Sequence, residues 1–489
     1  MSNARYPALP IPHNMPVVGV DPKNPRETAA SVVANIYPNL RHYQDVFYRW
    51  VGTHYSPVRS GDLVSNIYAL LAKATVQVGN KGLEDRFKPD DRAVGKVIHA
   101  LRGLVQLSDD AGTSPPLWTV WNGIARHTGA PADIIACKNG LLNVRTRTLH
   151  PHTPFYFNTA SLPFDYDANA WPPRQWLQFL HSLWQDDQES IACLQELFGL
   201  LLTPDTSHQK LFLLLGMKRG GKGTIGRIMQ RLLGCDHVCA PTLESLGGRF
   251  GLHPLVGKSL AVIGDADSAG KTTSSTVERL KGISGEDTFD VDRKNREVIP
   301  AYRFPTRIVM LANQVPRLAD SSAAMADRFI VWKMTVSFLG REDHDLERKL
   351  GLELPAILVW SLIGLDRLRK RGRFVQPESA RQDVELLQDI GSPIGAFIRE
   401  ACVVGPDQSV PCGTLFYQWQ RWCSEQGRTR TVGTVQTFAS HLYAALPKVT
   451  TRRPRRDDGN RNREYVGVGL TPDRAADSMT TAISALATS

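Results

Sequence analysis

Long hydrophobic runs are missing from this sequence. No apolar stretch in its 489 residues approaches the roughly 18–20 residues of a membrane-spanning helix, so no membrane partner is expected. Residues 1–12 lack the apolar core of a secretory leader. Cysteine is scarce, at seven residues, which excludes a disulfide scaffold and suggests a reducing compartment. The nearest pair, Cys235 and Cys239 with His237 between them, has no second ligand pair nearby, so a zinc site is not expected there. Before residue 200 no apolar run carries Asp-x-Asp, and a primase or polymerase catalytic site is therefore not read. Internal repeats are also lacking.

What is present is the composition of a soluble globular protein, 42% hydrophobic and 22% charged, long enough for three or four domains. The net charge of +10 and pI of about 9.3 point mildly to polyanionic partners.

The chain is organised around residues 211–228. Five apolar residues, Leu211 to Leu215, read as a buried strand, residues 216–224 as a glycine-rich turn, and Ile225, Ile228, Met229 and Leu232 as one face of a helix. Strand, glycine turn and helix make the setting of a phosphate-binding loop. Gly216, Gly220, Gly221 and Gly223 leave the backbone N–H groups free to curl around an anion. Lys222 would neutralise the β- and γ-phosphates of a nucleotide. In G-x-x-x-x-G-K-[ST], Gly216, Gly221 and Lys222 fit. The hydroxyl position is Gly223, with Thr224 one residue later, so the Mg²⁺ contact is displaced to Thr224 or made through water.

A second apolar run, Leu260 to Ile263, ends in Asp265 and Asp267, 43 residues after Lys222. Such carboxylates hold Mg²⁺ through water or orient an attacking water. The plainer reading is a strand with an acidic turn. A third strand, 304–313, ends at Asn313, whose amide can bond a γ-phosphate or position water. Arg328 precedes a further strand. It could be offered to a neighbouring subunit's nucleotide as a finger, or form a surface salt bridge.

Around this core, the proline-rich residues 1–35 read as an extended lead-in, and 36–110 as an aromatic cluster followed by helical patterns. Tyr43, Phe47, Tyr48 and Trp50 suit core packing more than base stacking. Asn139-Gly140 signals a hairpin between 134–137 and 141–144, and 174–203 read as two helices. Residues 341–390 are helical, ending in a basic patch at 367–373 whose simplest reading is a solvated helix end. Residues 393–470 read as a separate module: helices over 394–403, 414–425 and 435–446, then a hairpin turning at Asp458-Gly459. Three helices and a basic hairpin form a winged-helix pattern. Residues 448–466 hold seven Lys/Arg against three acidic residues, a net of +4. Arg452, Arg453, Arg455, Arg456, Arg461 and Arg463 suit contacts to DNA phosphates. Residues 471–489, rich in Ala, Ser and Thr, read as a disordered tail.

Over roughly 130–470 these pieces resemble the superfamily 3 helicases, in particular the helicase region of phage, plasmid and vaccinia-type primase-helicases. Residues 139–155 look like the segment preceding the helicase core there. Lys222-Gly223-Thr224 is a variant seen in phage members. Asp265-Ala266 resembles the family's second motif, with Gly264 in place of its first acidic residue. Residues 290–296, followed by Pro305-Thr306, resemble the pore hairpin, with Lys294-Asn295 where viral initiators carry Lys-His. Asn313 matches the sensor asparagine and Arg328 the finger.

The resemblance implies an α/β fold, an AAA+ type P-loop NTPase core over 206–340. A mostly helical N-terminal domain (1–130) and a pre-helicase segment (131–205) would come first. A helical segment (341–390) and a C-terminal winged-helix domain (393–470) would follow. It implies ATP and Mg²⁺, the ion near Thr224 and Asp265, and a homo-hexamer because a finger acts in trans. Single-stranded DNA would pass Arg293, Lys294 and Arg296 in a central channel, and duplex would meet the winged helix. The N-terminal primase of longer relatives would be absent, with a separate primase or polymerase as partner. The expected setting is the cytoplasm of a bacterial host, in a phage, prophage or mobile element. The alternatives are an origin-binding initiator that uses ATP for assembly only, and a nucleotide kinase.

Overall fold

The computed structural model describes residues 23–78, 83–107, 115–119, 129–266, 273–318, 325–453 and 463–476. Its centre is a parallel sheet of five strands: β1 (Leu211–Gly216), β2 (Val238–Cys239), β3 (Leu260–Ile263), β4 (Arg307–Ala312) and β5 (Phe329–Met334), in the spatial order β2-β3-β4-β1-β5. Strand β1 is flanked on both sides, which explains its unbroken apolar run. Phe212 and Leu214 enter one core with the helices Arg174–Trp184, Gln188–Leu201, Lys222–Leu233 and Leu354–Arg371. Leu211, Leu213 and Leu215 enter a second core with Leu246, Val277, Leu280 and Leu387. The mixed α/β fold and its parallel sheet agree with a Rossmann-like NTPase core. Strand β2 has no signal in the sequence, being only two residues long and too short for a periodicity.

The basic patch at 367–373 is not a solvated helix end. Arg367 and Arg371 both pair with Glu196, whose side chain is only 2% exposed, and Arg369 pairs with Asp133 at 2.7 Å. A carboxylate this buried needs its partners, and removing one of them would leave an uncompensated charge. The patch therefore ties the helix Leu354–Arg371 to the helix pair before β1.

The N-terminal region is mixed rather than mostly helical. Helices Pro25–Asn35, Ser60–Leu71 and Asp91–Val105 accompany an antiparallel sheet of Arg41–Tyr43, Val46–Trp50 and Tyr55–Pro57. The aromatic cluster lies on that sheet. Tyr43 and Tyr48 pack on Phe157, with ring centroids 5.9 and 5.6 Å away, so their role is packing. The Asn139-Gly140 hairpin forms as read, Cys137 pairing Gly140.

The C-terminal unit has its own core around Phe397, Leu415, Trp419, Trp422, Phe438 and Val468. Helices Pro393–Ala401, Cys412–Glu425 and Val435–Ala445 pack on three strands, with Glu464–Leu470 between Cys402–Pro411 and Thr450–Arg452. The strand Cys402–Pro411 is an addition to the sequence reading. Its register slips between Val404 and Ser409, and the Gly405-Pro406-Asp407 sequence there reads as a turn. The connecting residues 454–462, with Arg455, Arg456, Arg461 and the Asp458-Gly459 turn, lie outside the described residues. Residues 471–476 do not belong to a disordered tail: Arg474 bonds both carboxylate oxygens of Glu425, at 3.1 and 2.7 Å. The remainder, 477–489, lies outside the described residues. Among the described residues no helix is long and apolar enough to cross a membrane.

Candidate functional site

The loop after β1 closes tightly because three of its glycines cannot carry a side chain. A Cβ on Gly216 would stand 2.5 Å from the carbonyl oxygen of Met334 on β5. Gly221 has φ +85°, and its Cβ would meet Leu183 at 2.9 Å. A Cβ on Gly220 would likewise meet backbone, 2.9 Å from the oxygen of Met217. The helix Lys222–Leu233 then starts directly, with the N–H groups of its first turn at the loop mouth. Gly223 stands in its first turn. The second segment of the loop is held from outside: Phe338 N–H donates to Arg219 O and Ser337 Oγ to Lys218 O.

Lys222 is half-buried at this mouth. Its Nζ donates to Gly216 O at 2.5 Å, to Met217 O at 2.8 Å and to Asn313 Oδ1 at 3.1 Å. Two residues read independently from sequence, 91 positions apart, are therefore in direct contact. The register explains it. Leu215 of β1 pairs Ala312 of β4, so Gly216 and Asn313 leave the sheet at the same edge. Asp265 joins them there. Strand β3 lies on the other side of β4, Ile263 pairing Met310, and Ala266 N–H donates to Leu311 O at 3.0 Å. Asp265 itself is exposed, with φ +48°, a left-handed conformation that a sharp turn imposes on it. Asp267 lies outside the described residues. Thr224 is half-buried one turn into the helix, where Arg227 Nη2 approaches its Oγ1 at 3.4 Å. The donor set is that of an anion cradle: a glycine loop, a helix N-terminus and a lysine. A hydroxyl and a carboxylate beside it fit a divalent cation.

Arg328 is elsewhere. Its strand β5 pairs Phe329 with Leu211 and Met334 with Gly216, so Arg328 stands at the opposite edge of the sheet, about 16–17 Å of strand away. It donates to Lys281 O and to Ser284 Oγ, the latter at 2.9 Å, at the C-terminal end of the helix Ser274–Ser284. A cation there also meets the negative end of the helix dipole.

Between that helix and β4 runs an antiparallel hairpin, Thr288–Val291 with Ile299–Arg303. Lys294 and Arg296 are exposed at its tip, and Asn295 has φ +55°. Arg293 is not at the surface. Its side chain is 6% exposed, with Nε on Glu297 O at 2.7 Å and Nη2 on Asp45 at 3.4 Å. Adjacent basic residues on a tight hairpin point to opposite sides, so one of the three expected DNA contacts is turned inward. At the C-terminal unit, Arg452, Arg453 and Arg463 are exposed. Arg452 lies 3.4 Å from Glu464 and 3.3 Å from Ser409. Among the described residues no group of His, Cys, Asp and Glu is arranged to hold a metal by itself.

Comparison with known proteins adds three findings. Residues 125–185 match the model of the D5 N terminal like family. Residues 214–328, from β1 to Arg328, match a family of unknown function (DUF5906). In three dimensions the chain is similar to the apo structure of the NrS-1 C terminal region, with a TM-score of 0.52 and 12% identity over 91% of this chain and all of that one. Two A form apo structures of the same region align at TM-scores of 0.46 and 0.45 with 11% identity. At this identity the likeness concerns the fold. The D5 match covers the Asn139-Gly140 hairpin and the helix Arg174–Trp184, whose Phe179 and Leu183 wall the glycine loop at Gly221.

Proposed function

We propose that this chain is an ATP-hydrolysing DNA helicase of the superfamily 3 kind, working as a ring in the replication of a phage or mobile element. The observation that carries this reading is the convergence of Lys222, Asn313 and Asp265 on one sheet edge while Arg328 occupies the other. Lys222 and the loop N–H groups bind the phosphates of ATP. Asn313, 3.1 Å from Lys222, touches the γ-phosphate or the attacking water. Asp265, with Thr224, holds Mg²⁺. Arg328 cannot reach its own chain's loop across the sheet, so it serves a neighbour's, which makes a ring, here a homo-hexamer, the working form. A nucleotide kinase would have no use for an arginine placed so, nor for the C-terminal unit.

The hairpin is joined to this site by β4. Ile299–Arg303 leads through Phe304, Pro305 and Thr306 into β4, which ends at Ala312 just before Asn313. A shift at the nucleotide would thereby pass along roughly 20 Å of β4 to the base of the hairpin and on through Ile299–Arg303 to its tip. Lys294 grips one phosphate of single-stranded DNA as a mobile point charge without reading bases. The C-terminal unit has the helix and strand order of a winged helix, and its arginines hold duplex. A separate primase or polymerase completes the replication role.

The deciding experiment is ATP hydrolysis with and without single-stranded DNA, alongside sizing with a non-hydrolysable ATP analogue. DNA-stimulated turnover and an analogue-dependent ring are expected; a monomer with DNA-independent turnover would rule the helicase out. Two variants localise the DNA contacts. Lys294→Ala should keep nucleotide binding, ring assembly and basal turnover but lose DNA stimulation and unwinding together. Unwinding of a forked duplex at the wild-type rate would remove the hairpin from strand movement. Deleting 393–489 should weaken duplex binding and flatten its salt dependence, by about 0.9 in log–log slope for each phosphate that the unit neutralises. An unchanged slope would remove the C-terminal unit from duplex binding.

A further inference from the structure

The buried Arg293 connects the hairpin to a part of the chain 248 residues away. Its partner Asp45 sits in the two-residue turn between the N-terminal strands Arg41–Tyr43 and Val46–Trp50. Gln44 and Asp45 both have positive φ, +47° and +61°, the geometry of a type I′ turn. The turn meets the hairpin at Arg293, and a cavity of about 200 Å³ beside it is lined by Tyr43, Gln44 and Tyr48 from one side and Tyr302 and Pro305 from the other. Asp292, which could have neutralised Arg293 locally, is engaged by Arg249 at 3.2 Å. Among the described residues, Asp45 is thus the acidic partner of Arg293.

We propose that Asp45 is a positioning residue for the hairpin, supplying from the N-terminal region the counter-charge that keeps Arg293 inside. Arg293 in turn holds the tip through the carbonyl of Glu297, and the tip then presents Lys294 outward. A guanidinium this buried stays in place only while it is paired. Without Asp45 it gains more by swinging out to water, which releases Glu297 and loosens residues 292–298. The cavity behind the turn leaves little packing to resist that change. The N-terminal region, whose described residues contribute no side chain to the nucleotide site, would in this way set how well DNA couples to ATP turnover. This consequence for DNA rests on the helicase reading; the positioning of the tip does not.

The test is Asp45→Asn, which keeps the size and left-handed preference of the residue and removes only its charge. Backbone amides of 292–298 should exchange with deuterium about tenfold faster in the full-length variant, with other segments unchanged. Basal ATP turnover should stay at the wild-type level while DNA-stimulated turnover falls, half-saturation moving to higher DNA concentration. In an Arg293→Gln background Asp45→Asn should add nothing, because no charge remains to be neutralised. Unchanged exchange at the tip, or additive effects of the two substitutions, would overturn the proposal. Faster exchange in Asp45→Asn, with DNA stimulation unaffected both there and in Lys294→Ala, would uphold the positioning role and remove the hairpin from DNA coupling, whereas turnover that DNA does not stimulate even in the wild type would refute the helicase reading.

Discussion

Lys222→Ala is expected to lower ATP hydrolysis by on the order of 10³-fold, the cost of removing one charged group from a preorganised phosphate site, with the fold intact. The fold survives because the loop is closed by contacts other than those of the lysine. Gly216 closes it against β5, where a Cβ would come within 2.5 Å of Met334 O, and Phe338 and Ser337 hold its outer segment. What the substitution removes is the cation that lies between Gly216 O, Met217 O and Asn313 Oδ1, at the place where the phosphates would enter. The measurements are steady-state hydrolysis and thermal melting of the same preparation. Thr224→Ala, read beside it, separates two ways of holding Mg²⁺. A loss nearly as large means that Thr224 has taken the role Gly223 cannot fill. Turnover near wild type means that Asp265 and water suffice. Substantial hydrolysis by Lys222→Ala would place the nucleotide elsewhere.

Arg328→Ala should bind ATP normally and hydrolyse it about 10³-fold more slowly, the range of a finger supplied in trans. Mixing it with Lys222→Ala should restore part of the activity. In a mixed ring some interfaces join an intact Lys222 loop to an intact Arg328 from the next subunit. The local contacts of Arg328 call for a control, since the guanidinium also bonds Lys281 O and Ser284 Oγ at the root of the hairpin. Ser284→Ala removes one of those bonds and leaves the guanidinium in place. It should hydrolyse ATP at close to the wild-type rate if Arg328 works on a neighbour's nucleotide. No rescue in mixed rings, with Ser284→Ala as impaired as Arg328→Ala, would make the arginine a helix-end contact only.

Much of this protein is local in the sequence, and those parts are legible there. The run Leu211 to Leu215, the glycines after it and the stripe Ile225, Ile228, Met229 and Leu232 announce strand, turn and helix within a short stretch, because periodicity and glycine sterics act between chain neighbours. Asn139-Gly140 and the helix pair before β1 are legible for the same reason. Other features depend on which segments meet, and they are not legible. The arginines at 367–373 look like a solvated cluster until the fold sets Glu196 and Asp133 against them. Arg293 looks like its neighbour Lys294 until the pleat turns it inward towards Asp45. The strand Cys402–Pro411 hides behind a turn-like sequence because its pairing with Glu464–Leu470 is interrupted.

The sequence by itself determined the kinds of groups available to chemistry: a glycine loop with a lysine, an acidic strand end, an asparagine strand end and an arginine before a strand. Only the tertiary structure decided which of these act together in one chain. Parallel register brings Gly216, Asp265 and Asn313 to a common edge and sends Arg328 to the other, because every strand of a parallel sheet ends on the same side. Spacing along the chain carries no record of that alignment.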